Sequence, residues 1–210
     1  MLSVYGDLRR PGRVLDYGCG NGALTYWLYR SGFGSDVVGI DISRTGVEMA
    51  NRRFGGAGMR FESFGPGASL EHLGRFDVIV CSHVLEHLSA PRDALEQMKP
   101  LSDLFLFEVP LEDCLSMNAK AALKRTSRTE LSDQHLQFWN RRTFEQFIDG
   151  GGLKLLRGRI YAAGSDYGDP PFLQRALQKT VLGVSMSLYG RLFGTRYTAL
   201  LWNDPLARKS

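Results

Sequence analysis

The residues with the clearest chemical purpose lie near the start of the chain, in the run Val14–Leu24 (VLDYGCGNGAL). An apolar stretch ends at Asp16, and Gly18, Gly20 and Gly22 follow before a helical pattern begins. Glycines let the main chain turn tightly and let a ligand lie against the backbone. Their G-x-G-x-G spacing differs from the G-x-G-x-x-G of dinucleotide sites. A carboxylate at Asp16 repels a pyrophosphate and attracts an ammonium or a sulfonium, so the loop suits S-adenosylmethionine (SAM) better than a dinucleotide. Asp41 closes the next apolar run, Asp36–Asp41 (DVVGID), where its carboxylate can accept from both hydroxyls of a ribose.

A second group, His83-Val-Leu-Glu86-His87, follows the apolar run Phe76–Cys81 (FDVIVC). Moving a methyl from a sulfonium is an in-line displacement. It needs an acceptor held at attack distance, and a hydroxyl acceptor gains from a base or a metal. His83 and His87 are four apart and Glu86 lies three from His83, so on a helical turn they share a face. The set can bond to the cofactor, supply a general base through His87 or His83, or hold a divalent metal; no metal is assigned. His135, in Asp133-Gln-His135-Leu-Gln-Phe-Trp139, is a third candidate, as a pocket residue or as a loop-fixing one. Glu108 and Glu112, in EVPLED, could meet a polar acceptor, Glu108 foremost because it sits near a strand's carboxyl end. His72 lies in a polar stretch and reads as solvated surface.

These residues need elements to hold them. Strand patterns cover Arg13–Asp16, Asp36–Asp41, Met59–Glu62, Phe76–Cys81, Leu104–Val109, Leu153–Tyr161 and Tyr197–Trp202. Helical patterns cover Ala23–Arg30, Ser43–Phe54 with Ser43 as cap, Ala90–Met98, a segment capped by Asn140 that carries Phe144, Phe147 and Ile148, and Phe172–Phe193. The βαβα rhythm and the continuously apolar strands predict a doubly wound, mostly parallel α/β sheet. Leu111–Leu136 is polar and irregular, with a basic run of Lys120, Lys124, Arg125 and Arg128 that reads as a solvated face or as a contact for a phosphate or carboxylate. In Phe172–Phe193, Leu173, Leu177, Val181, Val184, Leu188 and Leu192 form one stripe, and Gly183 and Gly190 are candidate breaks. Core or dimer packing, a cap over a pocket, and membrane-surface contact through Arg175, Lys179 and Arg191 all fit that stripe.

The 210 residues suit a single domain, 1–210, with 111–136 and 162–196 as substrate-side insertions. Lys+Arg minus Asp+Glu is 26 − 22 = +4, which permits an anionic partner without demanding one. Cys19, Cys81 and Cys114 are an odd count without metal-type spacing, which argues against a disulfide scaffold and fits a reducing cytosol. No leader-like apolar segment opens the sequence, and the apolar C-terminal stretch falls short of the roughly 20 residues that span a bilayer.

VLDYGCGNGAL, VVGIDIS and FDVIVCSHVLEHL together resemble the glycine-rich, acidic strand-two and strand-four motifs of class I SAM-dependent methyltransferases. The likeness is greatest to the small-molecule group that includes ubiquinone-pathway, sugar, lipid and natural-product enzymes. It covers residues 13–161 and the last strand. It implies a Rossmann-like seven-stranded sheet with a reversed final hairpin and a helical insertion before the last strand. It also implies SAM as methyl donor, leaving as S-adenosylhomocysteine. Asp16, Gly18, Cys19 and Gly20 would hold the methionine part, Asp41 and Ile42 the adenosine part, and Ser82 and His83 would line the same site. His87, His83 and His135 become the catalytic candidates. The expected acceptor is an O or N atom of a cytoplasmic small molecule, such as a sugar, a lipid-linked compound or a secondary metabolite, with an anionic or amphiphilic one favoured by the basic insertions. Peripheral membrane contact and a homodimer stay open. An RNA methyltransferase is the first alternative, disfavoured because strand four lacks an Asn/Asp-Pro-Pro-aromatic motif; a SAM-binding protein without turnover is the second.

Overall fold

In a computed structural model that describes residues 1–56, 58–65, 67–124, 126–131, 135–162 and 172–203, seven strands make one sheet. They are β1 (Arg13–Tyr17), β2 (Asp36–Asp41), β3 (Met59–Ser63), β4 (Val78–Ser82), β5 (Leu104–Leu111), β6 (Leu153–Ala162) and β7 (Thr195–Asn203). The order across the sheet is β3-β2-β1-β4-β5-β7-β6. The first five pair in parallel, and β7 lies antiparallel between β5 and β6.

The apolar runs decide which strands are central. Neighbouring residues on a strand point to opposite faces, so Val78 and Ile79 enter different cores, as do Val14 and Leu15, and Leu106 and Phe107. Both faces need cover, and helices supply it: α1 (Leu2–Tyr5), α2 (Ala23–Arg30), α3 (Arg44–Phe54), α4 (Pro91–Met98) and α7 (Arg141–Gly150) bury residues against the sheet, while α5 (Leu115–Lys124), α6 (Arg128–Leu131), α8 (Phe172–Val184) and α9 (Met186–Phe193) lie in the segments around 111–136 and 162–196. Edge strand β6 instead shows a run of exposed residues that includes Lys154, Arg157 and Arg159. Charge along an edge discourages pairing with another chain.

Both predicted helix caps are present. Ser43 Oγ accepts from Gly46 N–H at 3.1 Å. Asn140 and Thr143 close a reciprocal capping box, each side chain accepting from the other's N–H at 3.0 Å. Two expectations need correction. The segment 111–136 is not irregular throughout: β5 runs on to Leu111, and α5 and α6 follow. The glycines do not divide the late helix. Gly183 and Gly190 lie inside α8 and α9, and the break falls at Ser185, whose hydroxyl caps α9 by accepting from Leu188 N–H at 3.3 Å. Of the described residues of the stripe, Val184 is 76% exposed and Leu188 43%, while Val181 and Leu192 are half-buried. Arg125, Asp133 and Gln134, and the side chains of Arg128, Leu173, Arg175 and Leu177, lie outside the described residues.

Candidate active site

The carboxyl ends of the parallel strands open on one rim, where ligands bind in sheets of this kind. At the end of β1, Asp16 is 1% exposed and its Oδ2 accepts from Thr25 Oγ1 at 2.6 Å. Burial pushes its carboxyl up to about 7; the Thr25 bond works against that rise and the nearby Asp41 adds to it. The loop beyond is anchored to β2, because Gly18 and Cys19 both donate to Ile40 O, at 2.8 and 2.9 Å. Asp41 fixes it from below: Oδ2 accepts from Gly20 N–H at 2.7 Å and Oδ1 from Ser43 N–H at 2.8 Å.

The three loop glycines have different work to do. All have positive φ. A Cβ at Gly18 would stand 2.2 Å from Val84 Cγ2, and one at Gly22 would strike Ala50 and Phe61. Those two let elements pack. A Cβ at Gly20 would meet nothing within 4 Å, so Gly20 faces open space between a buried carboxylate and the Asp41 carboxylate. This space fits a ligand with a cationic end and a hydroxylated end, which SAM has. Asp16 and the main chain at Gly18–Gly20 would hold its amino acid part, and Asp41 and the exposed Ile42 its nucleoside part. Cys19 is buried, and burial raises its thiol so that it stays protonated. Ser82, at the end of β4, is partly open on the same rim.

The histidines sort differently from their spacing. His83 has φ 56°, the one positive-φ residue other than glycine among the described residues. The following turn is a short 3-10 one, Leu85–His87. His83 and His87 therefore do not share a helical face. His83 instead lies between two carboxylates, with Nδ1 3.1 Å from Glu86 Oε1 and Nε2 3.4 Å from Glu108 Oε1. Burial alone would lower its pKa, but Glu108 and Glu86 outweigh that and lift it to about 9. Burial in turn would raise Glu108, and contacts from His83, Tyr161 and Thr198 hold it well below the usual carboxylate range. Tyr161 OH and Thr198 Oγ1 both donate to Glu108 Oε2, the latter at 2.9 Å. At neutral pH His83 is thus a cation, held against Glu108 and Glu86.

His87 is exposed and stands edge-on to the His135 ring, with centroids 4.6 Å apart. Burial, foremost, lowers its pKa, so it is neutral at physiological pH. His135 is buried, with Nδ1 2.6 Å from Glu112 Oε2. Two backbone bonds bring it there, since Leu136 and Gln137 N–H both donate to Glu86 O, at 2.7 and 2.9 Å. Glu86 is fully buried, and its Oε2 has no hydrogen-bond partner among the described residues. Glu86, His87 and His135 each present a ligand atom within 4.8 Å of the others, a donor set that could take a divalent cation.

The expected residues therefore form two clusters, His83 with Glu86 and Glu108, and His87 with His135 and Glu112. His72 is apart from both, on the surface against Glu62 at 2.5 Å. Tyr161 and Thr198 join the first cluster without being among the expected residues; the hydroxyl of Thr198 inside the otherwise apolar YTALLW is the kind of sequence signal that points to a buried polar partner.

A family model described as a methyltransferase domain matches residues 2–157. Among curated relatives, the ubiquinone biosynthesis O-methyltransferase of Actinobacillus pleuropneumoniae serotype 5b is 32% identical over 96 residues, 42% of this chain and 40% of the relative. The one of Ralstonia nicotianae is 31% identical over 118 residues, 53% of this chain and 46% of the relative. The chain thus spans less than half the length of these relatives. Among solved structures, the magnesium protoporphyrin IX methyltransferase of Synechocystis PCC 6803, with SAH bound, aligns with a TM-score of 0.62 at 16% identity, over 96% of this chain and 79% of that one. The cyclase SpnF aligns with a TM-score of 0.61 at 12% identity, over 93% and 76%. The structural likenesses carry the fold, and a cyclase among them shows that fold and reaction are separable. The family model spans well over half of the chain, and with the glycine loop and its two carboxylates in place, the chain belongs to the methyltransferase domain family, of the class I SAM-dependent kind.

Proposed function

We propose that this methyltransferase moves a methyl group from SAM to a hydroxyl oxygen of a small molecule, with His87 as the base that receives the hydroxyl proton. The observation that carries the reading is the exposed His87 ring packed on His135, which Glu112 fixes from behind. When bound, SAM supplies an electrophilic methyl on a sulfonium. His87 would take the proton that the acceptor hydroxyl gives up as its oxygen takes the methyl, with S-adenosylhomocysteine as the leaving group, and the imidazolium so formed would stand beside Glu86 and Glu112. His135 acts through His87: it limits the ring's orientation and connects it to the Glu112 carboxylate. The O-methyltransferase names of the partly matching relatives support an oxygen acceptor. An amine acceptor needs only to arrive unprotonated and would make His87 dispensable.

The test uses labelled SAM and a set of phenolic, catecholic, sugar and lipid-linked hydroxyl compounds. His87→Ala should lower kcat on the best acceptor by about 10²–10⁴, the usual contribution of a positioned base, and added imidazole should restore part of it. Full activity in His87→Ala would exclude His87 as the base.

The converging Glu86, His87 and His135 ligand atoms and the unpartnered Glu86 oxygen favour a second reading, in which the same side chains hold a divalent cation that acidifies the acceptor hydroxyl. Activity abolished by a chelator and restored by a metal ion, with no rescue of His87→Ala by imidazole, would select this reading over the first.

A further inference from the structure

Helices that follow β5 and precede β7 expose apolar side chains, Leu123 on α5 and Val184 on α8 the most exposed large apolar residues described. On α5, Leu115, Asn118, Ala119, Ala122 and Leu123 are exposed at i, i+3, i+4, i+7 and i+8, one face of the helix, whereas Ser116, Met117 and Ala121 are half-buried. An ordinary surface helix turns its apolar stripe inward. This one turns it outward, with Leu115 62% and Leu123 84% exposed. α5 packs on α9, and α9 packs on α8. Val184 and Met186 flank the turn between α8 and α9 and are exposed, as is Leu188 on α9.

Charge decides what this surface meets. The sequences of α5, α8 and α9 contain no Asp or Glu. The exposed charged residues there are Lys120 and Lys124 on α5, Lys179 on α8 and Arg191 on α9. A second copy of the chain docked face to face would set these cations against their own kind; the described acids nearest α5 in sequence, Asp113 before it and Glu130 on α6, lie off the three helices and bond to Asn140 and to Thr126. Nucleic acid would answer the charge but offers no apolar phase for the leucines and Val184. A bilayer with anionic headgroups offers both: acyl chains for the apolar side chains and phosphates for the basic ones. The lysines reach past the apolar face on flexible stems, as side chains at such an interface do.

We infer that α5, with the α8–α9 turn beside it, is an interfacial docking surface for an anionic lipid bilayer. It lies next to the rim that carries His87 and His135, because α5 begins a few residues after β5 and Glu112. Docking there would bring the acceptor side of the protein to the membrane surface while the SAM loop stays on the same rim. No helix among the described residues is long and apolar enough to cross a membrane, so the contact is peripheral.

The experiment is co-sedimentation of the full chain with phosphatidylcholine vesicles, with and without phosphatidylglycerol. The chain should partition onto the phosphatidylglycerol vesicles and come off as salt rises. Leu115→Asp with Leu123→Asp should lower partitioning at least about tenfold, because each leucine buried in acyl chains is worth about that factor. Lys120→Glu with Lys124→Glu should lower it by roughly fivefold per charge removed. SAM binding by calorimetry, unchanged in both variants, separates lost docking from lost folding, and Leu123→Gln gives a milder second variant. No partitioning onto phosphatidylglycerol vesicles overturns the proposal. So do equal partitioning onto pure phosphatidylcholine, full partitioning by the α5 variants, or a sedimentation equilibrium showing a dimer that Leu123→Asp dissociates while vesicles bind nothing.

Discussion

Replacing Asp16 by Asn should make the ligand-free protein more stable and leave it unable to bind SAM. Asp16 is buried, and the Thr25 hydroxyl and main-chain N–H offset only part of its loss of water. Its pKa of about 7 against an ordinary 3.8 means that the folded protein holds this proton more tightly than the unfolded chain does. Stability therefore falls as pH rises from about 3.8 to about 7 and then levels off. At about 1.36 kcal/mol per pH unit, the gap corresponds to about 4 kcal/mol lost at pH 8. Asn keeps the shape and an oxygen for Thr25 but carries no charge. Urea unfolding without SAM should show Asp16→Asn more stable than the natural protein by about 4 kcal/mol at pH 8, with the gap narrowing by about 2–3 kcal/mol at pH 5. SAM, which would restore the ionised form by placing its ammonium there, should raise the melting temperature of the natural protein and not that of the variant. An Asp16→Asn protein less stable at pH 8, or a gap that ignores pH, would refute the reasoning.

Other perturbations separate packing from binding. Gly18→Ala drives a methyl into Val84 at positive φ and should cost about 1–3 kcal/mol or more of stability. Gly20→Ala has room, so it should cost only the backbone strain of about 1–2 kcal/mol while abolishing SAM binding by calorimetry. Asp41→Ala removes the acceptor for Gly20 and Ser43 N–H as well as the proposed ribose contact, and should weaken SAM at least about tenfold. Glu108→Gln should destabilise the fold most in mildly acidic to neutral solution. Glu108 contributes above about pH 4.5 because its folded pKa is depressed, and His83 contributes until pH rises through about 9 because its own is raised. A melting-temperature difference that does not shrink above pH 9 would count against the paired-charge description.

Much of the scaffold was legible because the strands are apolar and the turns carry glycine. Asp36–Asp41 and Ala23–Arg30 fall where the pattern puts them, and Ser43 and Asn140 cap as their side chains predict. The glycine loop was legible as a unit, but not which glycine faces open space. That depends on Val84 and Phe61, which reach Gly18 and Gly22 from elsewhere in the chain. The His83–His87 spacing misled because periodicity assumes a regular turn. A left-handed residue at His83 breaks the helix before it starts, so the two rings do not share a helical face. The His87–His135 pair depends on the backbone of Leu136 and Gln137 hooking onto Glu86, a contact between residues about fifty apart with no local signature. The long apolar stripe was legible, yet its exposure was not, since periodicity shows that a face exists and not what covers it.

The position of β7 has a consequence for how the molecule is made. It is the last strand in sequence but sits inside the sheet, between β5 and β6. While the chain emerges from the ribosome, β1 to β5 can assemble as soon as they are available. The free edge of β5, with the apolar residues Phe105, Leu106 and Phe107, then has to wait for residues 195–203. Until then it is a sticky template for other nascent chains, and β6 cannot shield it because the two do not pair. Glu108 also waits for Thr198, so the anionic pocket around His83 is completed only when the final strand threads into its slot. Stalled or truncated translation products should therefore aggregate rather than persist as partly working binders of SAM, and the slow step of refolding should be the insertion of this one strand.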